Sequence, residues 1–262
     1  MPTVIDRAPR LGGLYAKAAL GAVGRRGHEL PATVLGREDV TVERDHVAEY
    51  ARVCGFPVAD ALPPTYPHVL AFPLQVALMA DRAFPLPLPG LVHVRNRIAL
   101  HRPIDAAEPL AVAVHAEGLR AHPKGAQVDL VARIDAAGEV VWEGRSTYLA
   151  RGATAPEGAP GPAEPPGVPD GPPAATWRVA AGTGRRYARV SGDVNPIHLH
   201  PWTAKAFGFR RAIAHGMWTA ARALAALQGR LPGALTYDVA FGKPLLLPST
   251  VELRTRAADG GW

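Results

Sequence analysis

Cysteine is nearly missing from this chain, because Cys54 is the single one among 262 residues. A lone thiol excludes an internal disulfide framework, so a reducing compartment is expected. Apolar runs of about 18 residues, the length that a membrane-spanning helix needs, are missing too. The short apolar stretch near the N-terminus precedes arginines, whereas a secretory signal has its basic residues first. These absences predict a cytoplasmic protein without a membrane span.

Basic runs with interleaved aromatic residues are a third absence, even though the formal net charge is +6. Lysine and arginine are scattered along the chain, which argues against a nucleic-acid partner. Hydrophobic residues make up 48% of the chain and charged residues 20%, as is usual for a globular protein. We therefore expect a folded protein whose modest positive charge suits a small anionic partner.

Large apolar side chains are rare in residues 154–176, which are rich in proline and glycine. Such a segment cannot build a core, so we predict a linker that is semi-extended where prolines cluster. The alternative is an ordered strap over the preceding domain, because prolines lower the entropic cost of ordering. Residues 1–30 are interpreted as an N-terminal extension, in which residues 14–26 form an amphipathic helix lying on the domain.

The sequence repeats itself on the two sides of this linker. EYARVCGF at 49–56 matches RYARVSGD at 186–193, and LAFPLQVALMA from Leu70 matches IAHGMWTAARALA from Ile213. The two pairs of segments come in the same order and at nearly equal offsets. This pattern indicates that one domain has been duplicated.

Residues 31–153 and 177–262 are therefore interpreted as two copies of an α+β domain. In the first copy the segment from Leu70 is expected to open an apolar helix that continues over 76–84, and alternation at period two predicts strands at 90–100, 110–122, 126–136 and 139–150. In the second copy a helix is predicted over 216–228, followed by strand-like segments at 235–241, 244–249 and 251–257. About two strands are thus expected to be missing from the second copy, and a homodimer is one way to cover the exposed sheet edges.

The most informative segment is YARVSGDVNPIH at 187–198, in which Asp193 and His198 stand five residues apart. Glycine, asparagine and proline break helical continuity around the carboxylate, so Asp193 is predicted to lie on a shaped loop. A loop of this kind can aim a carboxylate and an imidazole at one small molecule. The pair is a candidate acid/base dyad.

The wider stretch from Tyr187 to Trp218 resembles the signature of the MaoC-like, R-specific enoyl-CoA hydratases (hydratase 2), which have the hot-dog fold. The matching positions are Tyr187, Ser191, Gly192, Asp193, Asn195, Pro196, Ile197, His198, Ala204, Gly208, Phe209 and 213–217. The resemblance implies a double hot-dog protein, in which two antiparallel sheets each wrap a central helix and pair side by side. It also implies that the second copy carries the catalytic residues, while the first copy shapes an acyl-binding tunnel.

The activity implied by this resemblance is reversible addition of water to a trans-2-enoyl thioester, which gives an (R)-3-hydroxyacyl thioester. Asp193 and His198 are the implied acid/base pair, either one acting as base in one direction and as acid in the other. The backbone N–H of Gly216 is assigned to the thioester oxyanion, with steric packing of a helix start as an equal alternative. No metal and no redox cofactor are implied, because coenzyme A enters as part of the substrate.

Four residues are expected to support this site. Asn195 orients a dyad member or caps the helix that follows it, and His215 holds the loop or lines the pocket. Tyr187 and Ser191 match the family at the approach to the loop and are interpreted as structural. His200 is expected to face solvent.

Substrate contacts are assigned to two pairs of residues. Arg210 and Arg211 are candidates for the phosphates of coenzyme A or phosphopantetheine, with solvated surface charge as the alternative. Phe56 and Phe72 stand in the first copy where the second has Asp193 and His215. They are candidates for lining the acyl tunnel, with simple core packing as the alternative.

Two other functions stay open at this point. One is a 3-hydroxyacyl carrier-protein dehydratase of lipid or polyketide assembly, which turnover of a free coenzyme A ester would distinguish. The other is a non-catalytic subunit that binds acyl thioesters. The intact dyad argues against the second, since binding alone has no need for both a carboxylate and an imidazole.

Overall fold

The computed structural model describes residues 2–9, 11–14, 29–158, 161, 167–258 and 260–261. The helix that we predict at 14–26 falls outside these residues apart from its first residue. The strands are β1 (Thr3–Val4), β2 (Leu35–Val40), β3 (Leu91–Leu100), β4 (Leu110–His122), β5 (Gly125–Ala136), β6 (Glu139–Arg151), β7 (Ala175–Val179), β8 (Leu235–Ala240) and β9 (Ser249–Leu253). The helices are α1 (Arg44–Cys54), α2 (Tyr66–Ala80), α3 (Thr183–Ser191), α4 (Pro196–Leu199), α5 (Pro201–Ala206) and α6 (Gly216–Ala225).

Helix α2 is the core of the first half. Twelve of its 15 residues are buried, and a helix that is apolar on all sides is stable only inside a protein. It begins at Tyr66, four residues before the segment from Leu70 that is predicted to open it, and ends at Ala80, four residues before the predicted end at 84. Pro73 lies inside this helix, where proline normally breaks the hydrogen-bond ladder, and burial on every side outweighs that loss.

A seven-stranded sheet wraps this helix, with the strand order β1-β2-β4-β5-β6-β3-β8. All neighbouring pairs are antiparallel except β1 and β2. Strands β3 to β6 agree with the predicted segments to within one residue at each end. The alternating pattern located them because one face of each strand packs on the core.

The two halves join edge to edge through β3 and β8, whose register runs from Arg95 opposite Ala240 to Leu100 opposite Leu235. An ion pair between Arg97 Nη1 and Asp238 Oδ2, at 2.9 Å, crosses the same junction. The sequence predicted that the sheets of the two halves pair side by side, and the structure confirms it. The fold is the predicted α+β double hot-dog.

The second half contains three strands in its described residues, whereas the first half has five from β2 to β6. Strand β8 pairs with β3, and β7 pairs with β9 in a separate two-stranded sheet. The predicted strand at 244–249 was wrong, because apart from Ser249 these residues contribute a single isolated bridge, between Leu246 and Ile213. The predicted shortage of about two strands is confirmed for the described chain.

The duplication is visible in the helices that precede the two central helices. Helices α1 and α3 both end at a glycine in the left-handed conformation, with φ of +86° at Gly55 and +73° at Gly192. A residue with a Cβ adopts that conformation only with strain. The matched tyrosines Tyr50 and Tyr187 are both buried, and their ring centroids are 6.1 Å apart. The repeated sequence therefore builds two equivalent helix ends that meet at the boundary of the halves.

Part of the proline-rich segment lies on the first half. The N–H of Ala121 in β4 donates a hydrogen bond to the carbonyl oxygen of Pro156 at 3.1 Å, and a Cβ at Gly158 would lie 2.8 Å from Arg120 Cβ. These contacts favour the ordered strap over a free linker at this end of the segment. The division into residues 1–30, 31–153, 154–176 and 177–262 stays a prediction. No helix in the described part of the chain has both the length and the apolar character that crossing a membrane requires.

Candidate active site

Asp193 lies on the loop between α3 and α4, as the sequence predicts. Its backbone N–H donates to Ser191 Oγ at 3.2 Å, and the Asn195 N–H donates to Asp193 Oδ1 at 3.1 Å. The side-chain oxygen of Asn195 accepts from the Ile197 N–H at 3.4 Å and caps α4. Ser191 and Asn195 thus hold the loop through backbone groups, and one of these bonds fixes the carboxylate itself.

His198 lies in α4 and is buried, with 8% of its surface exposed. Its Nδ1 is 2.9 Å from the carbonyl oxygen of Ile213. A carbonyl oxygen can only accept, so Nδ1 carries the proton and Nε2 of the neutral ring has a free lone pair. The imidazole is therefore oriented by a backbone group and keeps one nitrogen for proton transfer.

His215 packs directly against this ring. The ring centroids of His215 and His198 are 3.7 Å apart with an interplanar angle of 28°, and the ring centroid of Tyr187 is 4.9 Å from that of His215. Nε2 of His215 donates to the backbone oxygen of Asp193 at 2.9 Å, while Nδ1 is buried without a partner in the described chain. This geometry fits the role of holding the loop.

The structure brings Asp193, His198 and His215 together, with one ligand atom of each within 4.8 Å of the others. Among the described residues, these three form the group whose spacing could hold a metal ion. The expectation of a metal-free site and the catalytic roles of the dyad stay predictions. The arrangement can move a proton between a carboxylate, an imidazole and one small molecule held between them.

Gly216 is the first residue of α6, with His215 as the residue before it. Because Gly216 starts the helix, its N–H has no acceptor within α6 and is free to face a ligand. A Cβ at this position would lie 3.1 Å from the ring of Phe241. The steric alternative from the sequence is therefore present in the packing, and the oxyanion role stays a prediction.

Three aromatic or imidazole side chains of the first half, two of them buried and His93 half-buried, lie beside the dyad and are not predicted from the sequence. The rings of His68 and His93 stack at 6.0 Å, and those of His93 and Tyr148 at 4.7 Å. The charge of Asp193 acts on the pKa of all three groups. Strict alternation along β3 would place His93 on the face opposite Asn96 and Ile98, but a register shift between His93 and Arg95 brings the three to one face, so the alternating pattern did not indicate His93.

Burial controls the protonation of the histidines in this region. It lowers the pKa of His215 and of His93 to about 3, and that of His68 to about 4. Burial also lowers the pKa of His198, against the opposing effect of the Asp193 carboxylate. These rings are neutral at pH 7, which is the state in which His198 can accept a proton.

Acid should destabilise the protein through these buried rings. Between about pH 6.5, where an unperturbed histidine titrates, and pH 4, the unfolded chain binds protons that His68, His93 and His215 do not bind when folded. The contribution of these three neutral rings to folding stability is fully present above about pH 6.5 and is lost as the pH falls. We expect each ring to lower the unfolding free energy by about 1.4 kcal/mol per pH unit, measured by urea unfolding from pH 6.5 to 4.5.

A matched pair of variants tests this dependence. His93→Phe should reduce the slope of the unfolding free energy against pH by about 1.4 kcal/mol per pH unit. His101→Phe, which replaces an exposed histidine just after β3, should leave most of that slope unchanged. Equal slopes in the wild type and His93→Phe would contradict the burial of a neutral imidazole at 93.

The four predicted substrate contacts lie in different places. Arg210 and Arg211 are exposed, and Arg211 Nη1 donates to the Pro248 carbonyl at 3.0 Å. Phe72 is buried, with its ring 5.8 Å from that of His68 and so beside the site. Phe56 instead lines a separate cavity of about 200 Å³ that contains none of the dyad residues. All four assignments stay predictions.

Comparison with known proteins gives a consistent result. Residues 168–260 match the model of the MaoC-like domain family. The chain is 41% identical over 248 residues to 3-hydroxyacyl-thioester dehydratase X of Mycobacterium tuberculosis, covering 94% of this chain and 89% of that protein. The crystal structure of HtdX from Mycobacterium tuberculosis superposes with a TM-score of 0.78 at 39% identity, covering 87% of this chain and 91% of that one. The peroxisomal enoyl-CoA hydratase 2 of Arabidopsis thaliana is 29% identical over 163 residues, covering 54% of this chain and 52% of that protein.

Proposed function

This chain belongs to the MaoC-like dehydratase family, and on that basis we propose that it is a hydro-lyase acting on acyl thioesters. The reaction is the reversible hydration of a trans-2-enoyl thioester to an (R)-3-hydroxyacyl thioester. Coenzyme A is the proposed carrier, and neither a metal nor a redox cofactor takes part. The relatives named above, a thioester dehydratase and an enoyl-CoA hydratase, support the reaction class.

The observation that carries this proposal is the geometry of Asp193 and His198. A neutral imidazole whose Nδ1 is held by the Ile213 carbonyl offers Nε2 as a proton acceptor, close to a carboxylate that is fixed by the Asn195 N–H. One water molecule between the two groups would be oriented by both of them. A site that only binds a thioester has no need for this arrangement.

The reaction needs one proton removed and one delivered. The oxygen of water bonds to C3 as His198 or Asp193 takes its proton, and the π electrons of the C2=C3 bond move toward the thioester carbonyl. A proton delivered to C2 by the pair then restores the carbonyl. Dehydration runs through the same steps in reverse, so the acid of one direction is the base of the other.

Negative charge develops on the thioester oxygen during this sequence. The N–H of Gly216 at the start of α6 is the proposed donor to that oxygen, supported by the favourable field of a helix N-terminus. One donor of this kind contributes on the order of 10²- to 10³-fold to the rate.

We expect purified protein to hydrate crotonyl-CoA and a longer trans-2-enoyl-CoA, followed as loss of the enoyl-thioester absorbance. Treatment with a chelator should leave the rate unchanged, and the product should be the R enantiomer. The same acyl groups on a carrier protein serve as competing substrates, and a much higher kcat/KM for them would replace coenzyme A as the carrier. If neither carrier form is turned over by folded protein, the proposed activity is wrong.

A further inference from the structure

A row of polar side chains, buried or half-buried, runs from the active site into the core of the first half. Phe241 connects the two, because it contacts Gly216 and its ring centroid is 5.1 Å from that of His93. His93 then stacks on Tyr148 and on His68. The row therefore begins one aromatic ring away from the proposed oxyanion donor.

Gln75 extends this row along α2. It follows His68 by seven residues, which places both side chains on the same face of the helix. Gln75 is fully buried, with 0% of its surface exposed. On the opposing sheet Asn96 lies on the same face as His93, because their partners on β6, Ser146 and Tyr148, are two residues apart.

Several atoms of this row have no hydrogen-bond partner in the described chain: Nδ1 of His68, both amide atoms of Gln75, Nε2 of His93 and Oδ1 of Asn96. Leaving a buried polar atom unpaired costs about 1–3 kcal/mol, so proteins seldom bury several of them together. A core that only needed to be filled would carry leucine or methionine at 75. These positions are therefore suited to a ligand that brings its own polar group.

The unpaired atoms define what that group must offer. His93 donates to the backbone of Arg95 through its other nitrogen, so its unpaired Nε2 is an acceptor and needs a donor from the ligand. Gln75 offers both a donor and an acceptor. A hydroxyl group both donates and accepts, whereas a keto group only accepts and leaves Nε2 unpaired. A carboxylate also only accepts, and it would bring an unpaired charge into a neutral interior.

We propose that the acyl chain of the natural substrate carries a hydroxyl group beyond C3, which binds among His68, Gln75 and His93. This inference rests on the proposed function, because it assigns the tail of the thioester to the first half. The pantetheine arm is a poorer occupant, since it must lead out to solvent whereas Gln75 lies fully inside the core. The row therefore determines which acyl chains are accepted.

The test compares trans-oct-2-enoyl-CoA with its 5-hydroxy and 7-hydroxy derivatives, which share one chain length. We expect wild-type protein to prefer one hydroxylated ester by at least about tenfold in kcat/KM, the effect of one buried hydrogen bond. His93→Phe and Gln75→Met should each reduce that ratio toward one, while His101→Phe should not change it.

Each outcome has one interpretation. If the wild type hydrates the plain ester as well as either hydroxylated ester, the inference is overturned and the proposed function stands. If the variants lower kcat/KM equally for all three esters, the row serves the constant pantetheine part, and the inference is overturned again. If none of the three is hydrated by folded wild-type protein, the proposed function itself fails.

Stability without substrate gives an independent measurement. Because the side chain of Gln75 has no hydrogen-bond partner among the described residues, Gln75→Met should raise Tm by about 2–4 °C, since replacing an unpaired buried amide by an apolar group removes its desolvation cost. A lower Tm would mean that bound water already satisfies the amide, and it would count against a ligand hydroxyl at this position.

Discussion

Asp193→Asn and His198→Asn should each lower kcat for enoyl-thioester hydration by about 10²- to 10⁴-fold, the usual contribution of a positioned acid or base. Both substitutions conserve the local hydrogen bonds. Asparagine at 193 can still accept from the Asn195 N–H. In His198→Asn, the amide nitrogen of the new asparagine can replace Nδ1 of His198 as the donor to the Ile213 carbonyl. The loss therefore measures proton transfer and not the folding of the loop, and initial rates at saturating substrate report it.

His200→Asn is the matched control for this pair. His200 is exposed and caps α5 by accepting from the Trp202 N–H at 3.3 Å, a role that asparagine also fills. Its kcat should equal that of the wild type. Full activity of Asp193→Asn or His198→Asn would remove that residue from the chemistry, whatever the family resemblance implies.

Gly184→Ala should lower kcat by about 10²-fold although a glycine has no side chain that could take part in the reaction. A Cβ at this position in α3 would lie 2.1 Å from the backbone oxygen of His198, so α3 and α4 must separate by about 1 Å. A displacement of that size at a catalytic group is enough to cost about 10²-fold. Overpacking should also reduce stability by about 1–3 kcal/mol, and kcat is therefore measured well below Tm.

Gly182→Ala provides the comparison, because a Cβ there would meet only the Arg185 guanidinium at an ordinary 3.7 Å. That variant should keep both Tm and kcat. A Gly184→Ala protein with wild-type activity would show that His198 does not depend on the close approach of α3.

The sequence predicts the first half of the fold well where one physical factor dominates. Strands β3 to β6 have one face in the core, so period-two alternation located them to within a residue. The apolar residues from Leu70 predicted helix α2 but not its ends, which lie four residues earlier on each side, and burial stabilises the helix although Pro73 argues locally against one. The segment 244–249 reads as a strand by apolar content, yet apart from Ser249 it has no neighbouring strand among the described residues and forms only the isolated bridge between Leu246 and Ile213.

The residues of the candidate site also differ in how well the sequence predicts them. Asp193, Asn195 and His198 lie within a few residues of one another, so local turn chemistry and the family resemblance were enough to group them. His68, His93 and Tyr148 come from three elements far apart in the chain, and no local pattern connects them. Their position depends on the packing of α2 against the sheet and of one half on the other, which spacing in a single sequence does not encode.

The joining of both halves in one chain, through β3 and β8, removes a constraint that symmetry imposes on assemblies. In a twofold dimer of identical subunits every substitution occurs twice, at positions related by the axis. Here the equivalent positions 56 and 193 hold a phenyl ring and a carboxylate. Helix α2 buries Gln75 at the position where its counterpart α6 buries Trp218. Each half is thus free to specialise without altering the other.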